Sequence, residues 1–164
     1  MKRATVDEDV DAVIARGGNE PVFVPAGNAP PWLAPFEQNL PFRLPPSFRS
    51  LLLRYRFPMF EVGAVEIFAN LDGQSDDELV VASTQDEHLS SVARANGFIH
   101  IGRPATRNYD PVCFDARGRT KNGEAKIVQL DHEEILCNDS IRVVGMVAPS
   151  FVELLGRGIR LIEE

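Results

Sequence analysis

Proline is the residue that most restricts what this chain can form. Nine of the twelve prolines lie between Pro21 and Pro58, and such a density excludes a long helix or a central strand. We therefore expect the segment from Pro21 to Pro41 to be an irregular, extended strap over the core, with Trp32, Leu33 and Phe36 as apolar anchors. A hinge or linker is the alternative interpretation of this segment.

Apolar spacing predicts helices on both sides of this strap. Residues 6–16 carry valine and isoleucine at helical spacing, and Gly17-Gly18 supplies a stop signal. A second helix is predicted from Leu44-Pro45-Pro46-Ser47 onward, because proline is tolerated in a first turn. Thr84 and Glu87 have the spacing of a capping box, and Ser150 with Glu153 has the same spacing ahead of a terminal helix.

Between the helices the pattern changes to that of strands. Short strands are predicted at 63–68, 98–101, 111–115, 125–130 and 141–147, and the polar stretch 117–123 is typical of a hairpin turn. Helices at both ends with several strands between them indicate an α+β fold.

Length and composition favour one soluble domain. The chain has 164 residues, of which 44% are hydrophobic, enough for a core without a disulfide or metal. No run approaches the ~18 apolar residues of a membrane helix, and Met1 to Asp11 carries four acids rather than a secretory signal. We expect a cytoplasmic protein. Cys113 and Cys137 lie among apolar neighbours and form no CxxC pair, so both are expected to be buried thiols, with no structural metal and no cofactor.

The charge points toward a particular kind of partner. A net charge of −7 argues against nucleic acid as the main partner, because phosphate binding needs clustered Lys and Arg. An acidic surface is suited to steering toward a basic protein.

Three stretches resemble the SUKH superfamily, which includes fungal cell-wall assembly regulators and bacterial immunity proteins. They are Leu44 to Tyr55, then Phe60 to Phe68, then Tyr109 to Asp115 followed by Ile127 to His132 and Ala148 to Leu155. The resemblance implies a mixed, mostly antiparallel sheet with helices packed against it, in one domain spanning 1–164. Residues 1–43 would be the N-terminal helix and strap, and 44–156 the family-like core. It also implies a binding role without a shared catalytic set, and bacterial members that neutralise toxins.

Candidate catalytic motifs fail on spacing. Asp131-His132-Glu133-Glu134 starts like a zinc-protease motif, but Leu136 occupies the position of the second histidine. We interpret this tract as a solvated strand end or loop, and His100 as a strand residue on the solvated face. Asp110 and Asp115 flank a strand; Asp110 precedes a proline and is better explained as a turn residue than as half of a carboxylate pair.

The sequence thus predicts a non-catalytic domain that binds a protein, with a basic toxin domain as the expected partner and neither nucleic acid nor a membrane. The alternatives are a free-standing regulatory, scaffold or ligand-binding domain and a small hydrolase. Trp32 is either an interface anchor or a core residue of the strap. The predicted binding residues are Asp76, Asp77, Glu78, Asp131, Glu133, Glu134 and Trp32.

Overall fold

The computed structural model describes residues 5–16, 23–71, 78–84 and 88–162. Gly17, Gly18, Asp76, Asp77 and Glu87, to which predictions above refer, lie outside these described residues. The helices are α1 (Val6–Arg16), α2 (Leu33–Gln38), α3 (Pro46–Arg54), α4 (Leu79–Thr84), α5 (Leu89–Ala95), α6 (His132–Asn138) and α7 (Phe151–Leu155). The strands are β1 (Val24–Pro25), β2 (Tyr55–Arg56), β3 (Phe60–Val62), β4 (Val65–Ile67), β5 (Phe98–Pro104), β6 (Val112–Asp115), β7 (Lys126–Leu130), β8 (Val143–Ala148) and β9 (Ile159–Leu161).

Seven of the strands form one antiparallel sheet in the order β8-β7-β6-β5-β4-β3-β9. Chain neighbours from β3 to β8 pair with each other, and β9 returns to the far edge beside β3. The strands β1 and β2 form a separate two-stranded ribbon. The predicted α+β class is confirmed, and the named strands of the described residues pair in antiparallel fashion throughout.

Two hydrophobic cores lie on opposite faces of the sheet. Successive strand side chains point to opposite faces, and β6 shows this directly. Val112 and Phe114 belong to the larger core, whereas Cys113, between them, belongs to the smaller one. Since both faces of the central strands are buried, the sheet lies between two layers of helices.

The larger core is covered by α1, α3 and α7. It contains a cluster of three aromatic rings. The ring centroid of Phe48 on α3 lies 5.2 Å from that of Phe114 and 4.9 Å from that of Phe151, in edge-to-face geometry. These are favourable arrangements for aromatic pairs. The terminal helix also begins as predicted, because the hydroxyl of Ser150 accepts a hydrogen bond from the Glu153 N–H.

The smaller core is covered by α5 and α6, which contribute Ala93 and Ile135. The thiol of Cys113 is fully buried there, and burial raises its pKa well above the ordinary value. Cys137, on the outer side of α6, is exposed, so the expectation that both thiols are buried was wrong for Cys137.

Local corrections concern the strap and two helices. The strap is not wholly irregular, because α2 forms within it; Pro35 sits in the first turn of α2, where its missing N–H costs no intrahelical bond. The helix α4 ends at Thr84, and α5 begins after His88; the predicted capping partner Glu87 lies outside the described residues.

Candidate functional site

The acidic tract at 131–134 forms the start of a helix. Asp131 is the N-cap of α6: its carboxylate accepts hydrogen bonds from the backbone N–H groups of Glu133 (2.9 Å) and Glu134 (3.4 Å). This satisfies donors that a first turn leaves unpaired, and acids there also suit the positive end of the helix dipole. The prediction of a solvated strand end or loop at 131–134 was therefore wrong.

A buried carboxylate ties the loop before β6 to the start of α6. Asp110 Oδ1 accepts hydrogen bonds from the His132 backbone N–H at 3.0 Å and from His132 Nδ1 at 2.5 Å, and Oδ2 accepts one from Gln129 at 2.6 Å. Burial alone would raise the pKa of Asp110, but the hydrogen bonds from His132 and Gln129 outweigh it, so the pKa lies below its ordinary value. Asp110 is thus a structural anchor in addition to a turn residue.

Asp110, Asp131 and His132 also place one potential metal-ligand atom each within 4.8 Å of the others. Two ligands of a tetrahedral zinc ion, each about 2.0 Å from the metal, would lie about 3.3 Å apart. The 2.5 Å separation of His132 Nδ1 and Asp110 Oδ1 is instead a hydrogen-bond distance, and Asp131 is paired with Arg142. The cluster is accounted for as a hydrogen-bonded network.

Next to this network, β8 forms an edge of the sheet with exposed apolar side chains. Val143 is 41% exposed, Val144 52% and Met146 62%. The register with β7 shifts around Val144 and Val147, as is common at sheet edges. Arg157 Nη1 donates to the Val147 carbonyl at 2.7 Å, which covers the end of the strand. The uncovered part is therefore Val143 to Met146.

The exposed side chains of β8 continue the smaller core. Met146 pairs with Val128 and Val143 pairs with Leu130, and paired residues lie on the same face of a sheet. Val128 and Leu130 are buried members of that core. The apolar face therefore runs from the interior out to the edge strand, where no described helix buries it. Leu136 of α6 adds a further apolar side chain, 51% exposed.

Acids are concentrated in the segment that leads from α6 into β8. The segment from Asp131 to Arg142 holds four acids, at 131, 133, 134 and 139, and one arginine. Arg142 donates to Asp131, and Asp139 Oδ1 lies 3.0 Å from His88 Nε2, so the remaining negative charge is mainly that of Glu133 and Glu134. We call the exposed residues Glu133, Leu136, Asp139, Val143, Val144 and Met146 the α6–β8 surface.

The other predicted binding residues lie elsewhere. Glu78 is buried and its carboxylate accepts a hydrogen bond from the Leu71 N–H at 2.8 Å, so it is not part of an exposed acidic surface. Trp32 Nε1 donates to the Leu71 carbonyl at 3.2 Å, and the indole packs against Phe36 and the larger core. This contact pattern favours the core-packing interpretation of Trp32. Asp76 and Asp77 lie outside the described residues.

The apolar part of the α6–β8 surface was missed at the sequence level. A strand at 141–147 was predicted, but its apolar residues were assigned to no surface. Only the position of β8 at the end of the strand order leaves Val144 and Met146 exposed.

Comparisons with family models, curated proteins and solved structures found no match for this chain. Among the described residues, no helix has the length and apolar character needed to cross a membrane.

Proposed function

We propose that this chain is a non-catalytic protein-binding domain that neutralises a basic toxin domain, with the α6–β8 surface as its docking site. The observation that carries the proposal is the exposed apolar run of β8, which follows an acidic segment of the chain. The resemblance of residues 44–156 to the SUKH superfamily supports the same role, since that group includes immunity proteins.

The chemistry of the surface favours a basic partner over a second copy of the chain. Valine and methionine side chains at 41–62% exposure lose water when a partner covers them, which is the main favourable term in association. Glu133 and Asp139 at the border would repel their counterparts in a second copy, whereas they attract lysine and arginine. The net charge of −7 acts in the same direction at long range.

A non-catalytic role is supported by the environment of Ser90 and His100, a serine and a histidine in hydrogen-bond contact. Ser90 Oγ lies 2.8 Å from His100 Nδ1, the separation of a nucleophile and its base. Yet Ser90 is fully buried and its hydroxyl also lies 2.6 Å from the Ala82 carbonyl, to which it donates. His100 is buried as well, contrary to the prediction of a solvated face, and its Nε2 donates to the Gly102 carbonyl at 2.9 Å. A substrate has no access to such a hydroxyl.

Asp110 and Asp115 support the same conclusion. Asp115 ends β6, and Asp110 lies two residues before the strand begins. Five residues of extended chain at about 3.3 Å each put their backbones about 16 Å apart. Paired glycosidase carboxylates are about 5–9.5 Å apart. Asp115 instead pairs with Arg117.

The first test compares two valine-to-aspartate variants. The full-length tagged chain is used to retain proteins from the native host, and the partner is identified, purified and titrated by calorimetry. Val144→Asp should weaken binding by about tenfold or more, because it places a charge among the exposed apolar side chains of β8. Val24→Asp is the matched control, since Val24 is similarly exposed (57%) but lies on β1.

Several outcomes would contradict the proposal. One is equal weakening by Val144→Asp and Val24→Asp; another is a partner that binds the Val144→Asp variant with unchanged affinity. A third is a partner whose toxicity in co-expression is not relieved by the wild-type chain. That last result would favour the regulatory or scaffold alternative.

Charge reversal tests the electrostatic part separately. Glu133→Lys should slow association with the basic partner several-fold at low salt, and the difference from wild type should shrink as salt is added. Glu153→Lys, on α7 over the other face of the sheet, makes the same charge change away from the surface. Equal association rates of the two variants, measured by stopped flow, would remove Glu133 from the docking site.

A further inference from the structure

A cleft of about 490 Å³ opens between β5, α4 and the loop that precedes β6. Its wall contains the apolar side chains of Phe68, Ala82 and Leu89 together with the buried His100, and its rim is polar, with Arg103, Arg107 and Tyr109. Small-molecule sites are typically concave, about 300–1,000 Å³ in volume and mostly apolar with a few polar groups that fix orientation. The cleft has the size of such a site, and its lining combines apolar side chains with several polar and charged ones.

Two arginines at the rim share one buried carboxylate. Glu66 is 3% exposed, and its Oε2 accepts a hydrogen bond from Arg103 Nε at 2.7 Å. Arg107 Nε lies 3.8 Å from Glu66 Oε1, too far for a hydrogen bond. Glu66 therefore orients Arg103 but leaves the guanidinium of Arg107, 63% exposed, without a hydrogen-bonded acid among the described residues.

The second acid at the cleft, Asp110, forms its hydrogen bonds with residues other than the two arginines. Asp110 reaches the cleft, but both of its oxygens accept hydrogen bonds, from His132 and Gln129. Its carboxylate is engaged on the side of α6. Glu66 and Asp110 balance the two arginines in formal charge, so what the rim offers to an anion is the exposed guanidinium of Arg107, whose Nε is too far from Glu66 for a hydrogen bond.

The backbone at Arg107 is strained in a way that holds this side chain at the rim. Arg107 has φ +61°, a left-handed conformation that costs a residue with a Cβ about 1–2 kcal/mol. The turn is held by the Arg107 N–H, which donates to the Pro104 carbonyl at 2.9 Å, and by Asn108 Oδ1, which accepts from the Asp110 N–H at 2.9 Å. Glycine or asparagine would adopt this conformation more cheaply. Strained residues of this kind cluster at ligand sites.

We propose that the cleft binds a small amphipathic anion, an apolar body that carries one carboxylate or phosphate group. The apolar body would lie against Phe68, Ala82 and Leu89, and the anionic group would accept hydrogen bonds from Arg107. Guanidinium groups bind both kinds of oxyanion with paired, charge-assisted hydrogen bonds. The proposal is independent of the docking surface, because none of these residues belongs to the α6–β8 surface.

The test is a titration of the isotope-labelled full chain, followed by backbone amide shifts. The probes are phenylbutyrate, phenyl phosphate, inorganic phosphate and the neutral phenylbutanol. We expect phenylbutyrate or phenyl phosphate to shift the amides of 103–110 with saturation, and phenylbutanol or inorganic phosphate to bind at least about tenfold more weakly. Whichever of the first two binds more tightly identifies the oxyanion.

Variants separate recognition from folding. Arg107→Asn removes the guanidinium but keeps a residue that tolerates the left-handed backbone, so it should fold normally and bind the better probe about tenfold more weakly. Arg160→Gln is the control, an exposed arginine on β9 that pairs with Glu61. Ala82→Leu should fill part of the cleft and therefore weaken binding of phenylbutyrate or phenyl phosphate, whichever is the better probe.

The proposal is overturned if no probe gives saturable shifts at 103–110 up to about 10 mM, a concentration that would detect even very weak binding. It is also overturned if phenylbutanol binds as well as phenylbutyrate and phenyl phosphate, or if Arg160→Gln weakens binding as much as Arg107→Asn.

Discussion

A Gly102→Ala variant is expected to lose about 3 kcal/mol or more of unfolding free energy, the upper end of what overpacking costs. Gly102 lies on β5 opposite Ile67 of β4. A Cβ there would be closer than 3.0 Å to the Glu66 carbonyl oxygen and 3.2 Å from its carbon. Both are backbone atoms of the neighbouring strand, so no side-chain rotation relieves the clash and the two strands must separate.

The measurement is urea unfolding followed by circular dichroism, with Gly145→Ala as the matched control. Gly145 also lies in a strand of the sheet, but nothing approaches within 4 Å of the position its Cβ would take. This variant should stay within about 0.5 kcal/mol of wild type. Equal stabilities of the two variants would show that β4 and β5 can separate at little cost.

The clash would also reach the cleft, which gives a second readout. The Gly102 carbonyl accepts a hydrogen bond from His100, and Glu66, whose carbonyl lies against Gly102, holds Arg103. A shift of either strand therefore moves the cleft wall and the rim together. If the variant folds, its amide shifts at 103–110 should differ from those of wild type, whereas those of Gly145→Ala should not.

The helices α1, α3, α5 and α7 and the central strands were predictable from the sequence, because their apolar residues recur at periods that local geometry imposes. Examples are the buried face of α3, formed by Phe48, Leu51 and Leu52, and the apolar strands β6 and β7. His100 was placed on a solvated face because strand alternation was assumed to separate core from solvent. That rule fails where helices cover both faces of a sheet. Here α4 and α5 bury the face that carries His100, which contacts Ser90 of α5, and Ser90 in turn donates to the Ala82 carbonyl of α4.

The helix α6 was missed although its signal is present in the sequence. Asp131 followed by two glutamates is a good start for a helix, with an N-cap and acids in the first turn. The apolar residues Ile135 and Leu136 are too few to establish a helical period, and the incomplete zinc-protease motif drew the interpretation to His132. The short strands β3 and β9 were missed for a related reason, since three residues are too few to show alternation.

The candidate surfaces depend on long-range pairing that no local pattern reveals. Val144 and Met146 are exposed only because β8 is the last strand of the sheet. Likewise Arg107 meets Glu66 across 41 positions of sequence because β4 pairs with β5. Acidic residues were sought as binding residues on charge alone, which is how the buried Glu78 was included.

An Asp110→Ala variant is expected to lose about 3 kcal/mol of stability, because it leaves three donors of His132 and Gln129 unpaired in a largely buried site. Asp110→Asn keeps one acceptor oxygen and the shape of the side chain, so its loss should be smaller. Asp9→Asn, at an exposed position of α1, removes the same charge and should change stability by less than about 0.5 kcal/mol. Urea unfolding at neutral pH measures all three.

The pH dependence then distinguishes a charged anchor from a merely well-packed side chain. The pKa of Asp110 is lowered in the folded protein, so its ionised form contributes stability that is fully present above the ordinary aspartate value of about 4. That contribution is lost as the pH falls through the lowered folded value. The stability difference between wild type and Asp110→Asn should therefore shrink as the pH falls below about 4. A difference that stays the same down to the acid transition would mean that the charge of Asp110 does not hold the loop before β6 against α6.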